Sequence, residues 1–290
     1  MPLHNLGSIN IDLVYRVPHI TAPGETLVSR GLERGLGGKG ANTSIALAQS
    51  GAAVLHYGAI GPDGGWTLDE LGDRGVDCTH VQRLDTPTGQ AVIQVSDDGE
   101  NAITLLKGAN WEFSAEIAET IIANAAPGDW LVIQNETAHV PEVAARAKAA
   151  GLSVAYAAAP FDAEATRAVL PHITLLALNE IEAGQLEQAL GQSLDSLDLE
   201  MVLVTRGAEG ASLKPRAGEA ILQPAARAER VVDTTAAGDT FLGFFLGRLS
   251  LGDPLDEALG MASAASAITV ARPGAGGSIP SLDEVRAALP

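Results

Sequence analysis

A chain of 290 residues, 46% of them hydrophobic, is long enough to bury a sizeable core as one large α/β domain or two small ones. Its formal charge of −18, with no basic stripe to offset it, argues against nucleic acid, whereas an anionic nucleotide is bound by local N–H groups and a metal whatever the net charge. No apolar run approaches the ~18 residues of a membrane span, no signal-peptide pattern precedes the strand-like N-terminus, and the lone Cys78 makes no intrachain disulfide, a set that fits a soluble protein of the reducing cytoplasm.

In chain order, residues 11–36 carry no clear helix, and Gly35-Leu36-Gly37-Gly38-Lys39-Gly40-Ala41-Asn42 then opens an apolar helix. This segment fails the Walker A template twice, with Glu33 in place of the first glycine and Gly40 after Lys39. It matches G-x-G-x-x-G at Gly35, Gly37 and Gly40, but residues 26–34 are a poor buried strand and no acid follows at the ribose-binding distance. A dinucleotide-dependent oxidoreductase is therefore a distant reading. Apolar runs at 53–60, 130–134, 152–156, 173–178 and 201–205 read as buried strands, separated by helical patterns such as 141–149. That alternation predicts a parallel sheet covered on both faces, with ligands beyond the carboxyl ends of its strands, near Glu136, Asn179 and Arg206. Residues 88–107 alternate around Asp97-Asp98-Gly99 and predict a β-hairpin.

The segment from Val231 to Phe241 places Ala236, Ala237, Gly238 and Asp239 at the start of another apolar helix. The first turn of a helix has N–H groups without internal partners, and small side chains let an anion approach them. A carboxylate beside such a site suits phosphoryl transfer, where donors stabilise the moving phosphoryl and a base takes the acceptor's proton. Taken alone, the segment reads equally well as a capped core helix with a glycine-rich entry.

Together the two helix entries resemble, in order and spacing, the two signatures of the ribokinase-like (PfkB) family of sugar kinases, and the resemblance covers essentially the whole chain. Gly7-Ser8-Ile9-Asn10-Ile11-Asp12 resembles the family's opening strand. Thr88-Gly89-Gln90-Ala91, Gly99-Glu100-Asn101 and Gly108-Ala109-Asn110 resemble its lid region, and Asn179-Glu180-Ile181-Glu182 its Asn-x-x-Glu element. The implied fold is α/β: one domain over 1–290, a parallel-rich central sheet flanked by helices on both faces, and a discontinuous β lid at about 11–36 and 88–107.

The resemblance implies ATP-dependent phosphorylation of a sugar, with D-ribose to ribose 5-phosphate as the first reading and another sugar or a nucleoside as the second. A non-catalytic sensor on the same fold would need neither base nor metal element. Asp239 is implied as the base, and the N–H groups of Ala236, Ala237 and Gly238 as the anion hole. Many members carry Gly at 236; an Ala at positive φ would be strained by about 1–2 kcal/mol, and at negative φ not at all. Asn10, Asp12, Gly38, Lys39, Gly40, Asn42 and Glu136 correspond to the sugar pocket. The Asn of the Asn-Pro-x-Pro pattern is missing from Tyr156-Ala157-Ala158-Ala159-Pro160, so that contact does not carry over. Thr205, Arg206, Gly207, Ala208, Glu209 and Gly210 match the nucleotide loop, with Asn179, Gly238 and Ser263 beside it; Ser263 lines the adenine pocket or merely packs. Glu182 would organise Mg²⁺ indirectly. Asp233, Thr235, Thr269, Arg272, Gly274 and Ser278 match an activating K⁺ site, and a homodimer would form through the lid.

Overall fold

The computed structural model describes residues 2–289; Met1 and Pro290 lie outside the described residues. Its strands are β1 (Leu3–Leu6), β2 (Asn10–Arg16), β3 (Gly31–Gly37), β4 (Val54–Ile60), β5 (Val76–Arg83), β6 (Gly89–Val95), β7 (Asn101–Leu106), β8 (Trp130–Gln134), β9 (Ser153–Ala157), β10 (Leu175–Asn179), β11 (Met201–Thr205), β12 (Ala211–Pro215) and β13 (Ile221–Gln223). Its α-helices are α1 (Lys39–Gln49), α2 (Gly65–Asp73), α3 (Ile117–Asn124), α4 (Val140–Ala149), α5 (Ala163–Val169), α6 (Glu180–Leu190), α7 (Ala237–Ser250), α8 (Leu255–Val270) and α9 (Leu282–Ala288).

Nine strands form the main sheet in the order β13-β12-β11-β10-β9-β8-β1-β4-β5, parallel from β11 to β5 and antiparallel at β12 and β13. The central strands are buried on both faces, which is why they read as continuous apolar runs. One apolar layer packs α1, α7, α8 and α9 on the sheet, and the other packs α3, α4, α5 and α6 on its opposite face. The second sheet, β3-β2-β6-β7, is built from the two stretches that break the strand–helix alternation.

Residues 7–12 do not form one opening strand. β1 ends at Leu6 and β2 begins at Asn10 in the other sheet. At the switch, Gly7 lies so close to Gly40 that a Cβ on it would sit 2.3 Å from the Gly40 Cα. The Ile9 backbone, left without a strand partner, is satisfied by the buried Asn110, whose Oδ1 accepts from Ile9 N–H at 3.0 Å and whose Nδ2 donates to its carbonyl at 3.1 Å.

The packing of α1 on α7 positions the site. An added Cβ at Gly243 would lie 2.4 Å from the Ala46 Cβ, and one at Gly247 1.9 Å from the Ser50 Oγ. Glycine at these two positions lets the helix backbones approach until their N-termini stand side by side.

Candidate active site

Two helix N-termini and the ends of the parallel strands converge on one cleft. At the first, Gly38 adopts φ 94°, and a Cβ there would be 2.7 Å from the Ser8 carbonyl, so only glycine makes this turn. The Glu136 carboxylate, two residues past β8, accepts from Lys39 N–H at 3.1 Å and from the Ser8 hydroxyl. Its charge thus lies where the α1 dipole favours an anion. Gly40, expected in the sugar pocket, does not line the cleft: it is buried against Gly7, and its role is close backbone approach. Gly35 and Gly37 of the apparent dinucleotide fingerprint lie in β3, antiparallel to β2, where no βαβ unit exists. Gly37 does serve the site, because a Cβ on it would fall 2.1 Å from the Asp12 carboxylate.

At the second N-terminus Ala236 precedes α7 with φ 61°, in the left-handed region. The N–H groups of Ala236 and Gly238 have no partner among the described residues, and Ala237 N–H makes only a long 3.3 Å bond to the Thr234 carbonyl. A Cβ at Gly238 would meet nothing within 4 Å, so glycine here leaves open space in front of the free donors. Ala236 carries the strain of a left-handed alanine. We expect Ala236→Gly to raise stability by roughly 0.5–1 kcal/mol, since relief of about 1–2 kcal/mol is partly offset by the greater freedom of unfolded glycine. Urea denaturation of the two proteins measures this; an unchanged or lower midpoint contradicts it.

Asn42 Nδ2 donates to Asp239 Oδ2 at 2.9 Å and so joins the two helix entries. Burial raises the Asp239 carboxyl above the ordinary carboxylate range, against the lowering effect of the Lys39 charge and this hydrogen bond. The Asp239 charge is in turn the main reason the Lys39 ammonium is raised. Asp12 is pushed up to about 7, first by burial and then by the Glu136 charge. Asn10, also in β2, receives Asn110 Nδ2 on its Oδ1 at 2.8 Å, which leaves the Asn10 amide N–H groups for a ligand.

Two cavities open on this arrangement. One, of about 490 Å³, is lined by Asn10, Asp12, Gly38, Lys39, Asn42, Glu136, Asn179, Glu182 and Asp239, with Ala91, Ile93, Ile103 and Leu105 of the small sheet as its roof. The other, of about 520 Å³, is lined by Gly207, Ala208, Gly210 and Ser263. They share Thr205, Thr234, Ala237, Gly238 and Phe241, so the α7 N-terminus is the wall between them. Arg206 and Glu209, expected at the nucleotide, line neither cavity; their backbone closes a tight turn in which Arg206 N–H donates to the Gly210 carbonyl at 2.7 Å. The second cavity also uses Ala225, Ala226, Arg227, Ala228, Val231, Ser266, Ala267 and Val270, mostly small residues with no motif to announce them. Ser263 both lines this cavity and holds its wall, accepting from Ala226 N–H at 2.8 Å and donating to the Pro224 carbonyl at 3.2 Å.

Residues 3–282 match the pfkB family of carbohydrate kinases. The chain belongs to that family. It is 37% identical to the ribokinase of Haemophilus influenzae over 294 residues, covering 96% of this chain and 95% of that one. Its structure is similar to that of Cryptococcus neoformans ribokinase in complex with ADP, with a TM-score of 0.90, 33% identity and 99% of both chains covered. It is also similar to Arabidopsis thaliana ribokinase complexed with ribose and ATP, with a TM-score of 0.87, 30% identity and 99% and 98% coverage. As a pfkB carbohydrate kinase the chain is an ATP-dependent phosphotransferase whose acceptor is a sugar hydroxyl.

The remaining elements of this carbohydrate kinase lie around the same wall. Asn179 and Glu182 form a reciprocal capping box on α6: Asn179 Oδ1 accepts from Glu182 N–H, and Glu182 Oε2 from Asn179 N–H, both at 2.8 Å. One Glu182 oxygen is left for the cavity, and burial raises its carboxyl. No group of three or more His, Cys, Asp or Glu side chains arranged for a metal occurs among the described residues. Asp233 bridges the α7 entry to the loop after α8: Oδ1 accepts from Thr235 N–H and hydroxyl at 2.9 and 2.6 Å, and Oδ2 from Gly274 N–H at 3.0 Å. The side chains of three expected ion ligands are engaged elsewhere. Arg272 pairs with Glu284, the Ser278 hydroxyl donates to the Ala275 carbonyl, and the Thr269 hydroxyl donates to the Ala265 carbonyl and pairs with the Thr240 hydroxyl, so the backbone oxygens are the groups these residues leave unengaged for a cation. No described helix is long and apolar enough to cross a membrane.

Proposed function

We propose that this carbohydrate kinase is a ribokinase that transfers the terminal phosphoryl group of ATP to the 5-hydroxyl of D-ribose. The observation that carries the reading is the junction of the two cavities at the α7 N-terminus, with Asp239 on the acceptor side and free N–H groups facing the gap. Asn10, Asp12, Lys39, Asn42 and Glu136 bind the sugar hydroxyls, as paired amide and carboxylate groups suit a polyol. Asp239 takes the proton of the attacking oxygen, a bond forms from that oxygen to the terminal phosphorus, and ADP departs as the old P–O bond breaks. The N–H groups of Ala236, Ala237 and Gly238 meet the charge that develops on the phosphoryl. The nucleotide lies along Thr205, Gly207, Ala208, Gly210 and Ser263. Glu182 and Asn179 would hold Mg²⁺ through water, since this ion needs few protein ligands, and there it would supply neutralisation of the triphosphate charge.

The structural unit is a single domain with residues 11–36 and 88–107 as its lid. Leu32, Val92 and Leu106, on the face of the lid turned away from the cavity roof, are 53%, 36% and 50% exposed and support a homodimer through this sheet. A nucleoside or larger sugar is the second reading. Ile103 and Leu105 of the roof are each 55% exposed, and this aliphatic surface would cover an apolar acceptor group. ADP release measured with ribose, other pentoses, hexoses and nucleosides separates the readings: the highest kcat/KM with ribose supports the first, and turnover confined to nucleosides replaces it.

A monovalent cation binds between residues 233–235 and 272–278. Asp233 already bridges them, and a K⁺ ion held by backbone oxygens would order the loop beside the anion hole. We expect K⁺ to activate the enzyme, Na⁺ to do less, and the phosphorylated hydroxyl to stay the same. Steady-state rates in buffer free of monovalent metal ions, then titrated with each, test this; full activity without K⁺ removes the ion site and leaves the kinase reading intact.

A further inference from the structure

Beneath the acceptor turn runs a line of buried polar side chains that line neither cavity. Asn5 of β1, Ser44 of α1 and His56 of β4 are fully buried, as is Gln134 at the end of β8. Asn5 and His56 are register partners in the middle of the parallel sheet, where apolar residues are the rule.

Their hydrogen bonds run in one direction. The Gly7 carbonyl can only accept, so His56 Nε2, 3.2 Å away, carries the ring proton. Nδ1 is then an acceptor and takes the Ser44 hydroxyl at 2.8 Å. Ser44 Oγ accepts from Asn5 Nδ2 at 2.8 Å, and the same amide nitrogen donates to the Gly40 carbonyl, also at 2.8 Å. Asn5 Oδ1 accepts from Gln134 Nε2 at 3.1 Å. Burial lowers the imidazole to about 4, so the ring stays neutral near pH 7 and the order of donors holds.

The line ends on the carbonyls of the two glycines whose backbones cross. Neither glycine tolerates a Cβ at the crossing, so side-chain packing there cannot set its height. The residues next to them, Ser8 and Lys39, both hold Glu136, which stands two residues beyond Gln134. We propose that His56, acting through Ser44 and Asn5, is a positioning residue that sets the Gly38–Gly40 turn and Glu136 at the spacing the acceptor requires. This rests on the sugar-kinase reading and adds to it a control on acceptor affinity located in the buried sheet.

The test compares His56→Phe, which keeps a ring but can neither donate to Gly7 nor accept from Ser44, with His56→Gln, which keeps one donor and one acceptor. His56→Phe should raise KM for the acceptor at least tenfold, about 1.4 kcal/mol, with KM for ATP within about twofold, and His56→Gln should recover most of the loss. Ser44→Ala breaks the line at another point, should act in the same acceptor-selective way, and decides the matter if the Phe variant does not fold. A readout that needs no substrate is amide hydrogen exchange: in the Phe and Ala variants it should quicken over residues 36–44 and 134–138 and stay unchanged over 223–228. An unchanged acceptor KM, equal losses for sugar and ATP, or exchange quickened equally in all segments overturns the proposal. Absence of turnover by the wild-type protein on every acceptor instead refutes the ribokinase reading, and the exchange experiment still decides for or against the line.

Discussion

Asp239→Asn should lower kcat by about 10²–10⁴-fold, the range typical of a lost general base, with a smaller change in acceptor affinity. Asparagine keeps the size of the side chain and still meets Asn42, which now donates to Asp239 Oδ2, so the loss reports proton acceptance rather than collapse of the helix entry. The same residue sets the pH dependence. Its carboxyl is raised by burial, and the base works only when ionised. At saturating sugar, kcat should therefore fall with decreasing pH along a limb lying above the ordinary carboxylate range, and the Asn variant should lack that limb. Near-normal turnover of the variant would remove Asp239 from the proposed role.

Asp12 should show the opposite division. Its carboxylate stands in the acceptor cavity over Gly37, and removing it leaves buried sugar hydroxyls unpaired at about 1–3 kcal/mol. Asp12→Ala should raise KM for ribose roughly 5- to 150-fold and leave KM for ATP nearly unchanged. In the free protein this carboxyl is a liability. Because its folded value of about 7 exceeds the ordinary 3.8, the folded state holds the proton more tightly, so stability is fully present below the lower value and is lost as pH rises to the higher one. Each unit of that window is worth about 1.4 kcal/mol. Asp12→Asn should thus be more stable than the wild type, and more so at pH 8 than at pH 5, in urea denaturation. Equal effects on both substrates, or a gain that shrinks with pH, would contradict this account.

The contrast between Asp239 and Gly40 explains what could be read from the residues in advance. Both helix entries were legible because a free helix N-terminus next to a ligand needs small residues, and that need is local. The contact of Asn42 with Asp239, 197 residues apart, was not legible, because it depends on how closely α1 and α7 approach. The cause lies in Gly243 and Gly247, which as sequence look like ordinary helix residues. Gly40 lies inside the signature that resembles a sugar pocket, yet its missing side chain serves the crossing with Gly7. Arg206 and Glu209 stand in the same run, but the turn that their backbone closes brings only Thr205, Gly207, Ala208 and Gly210 to the cavity. The opening strand that the resemblance implies across residues 7–12 breaks at Gly7–Ile9, where the chain changes sheets, and the partner that satisfies the Ile9 backbone there is Asn110, a hundred residues on.

The most direct test of the account is a phosphorus NMR spectrum of the purified protein turning over ATP with D-ribose in the presence of Mg²⁺ and K⁺. A phosphomonoester coupled to the two C5 protons of ribose should grow in step with ADP, and with Asp239→Asn both signals should grow at least about 10²-fold more slowly. A phosphoryl group on any other hydroxyl, or ADP accompanied only by inorganic phosphate, would contradict it.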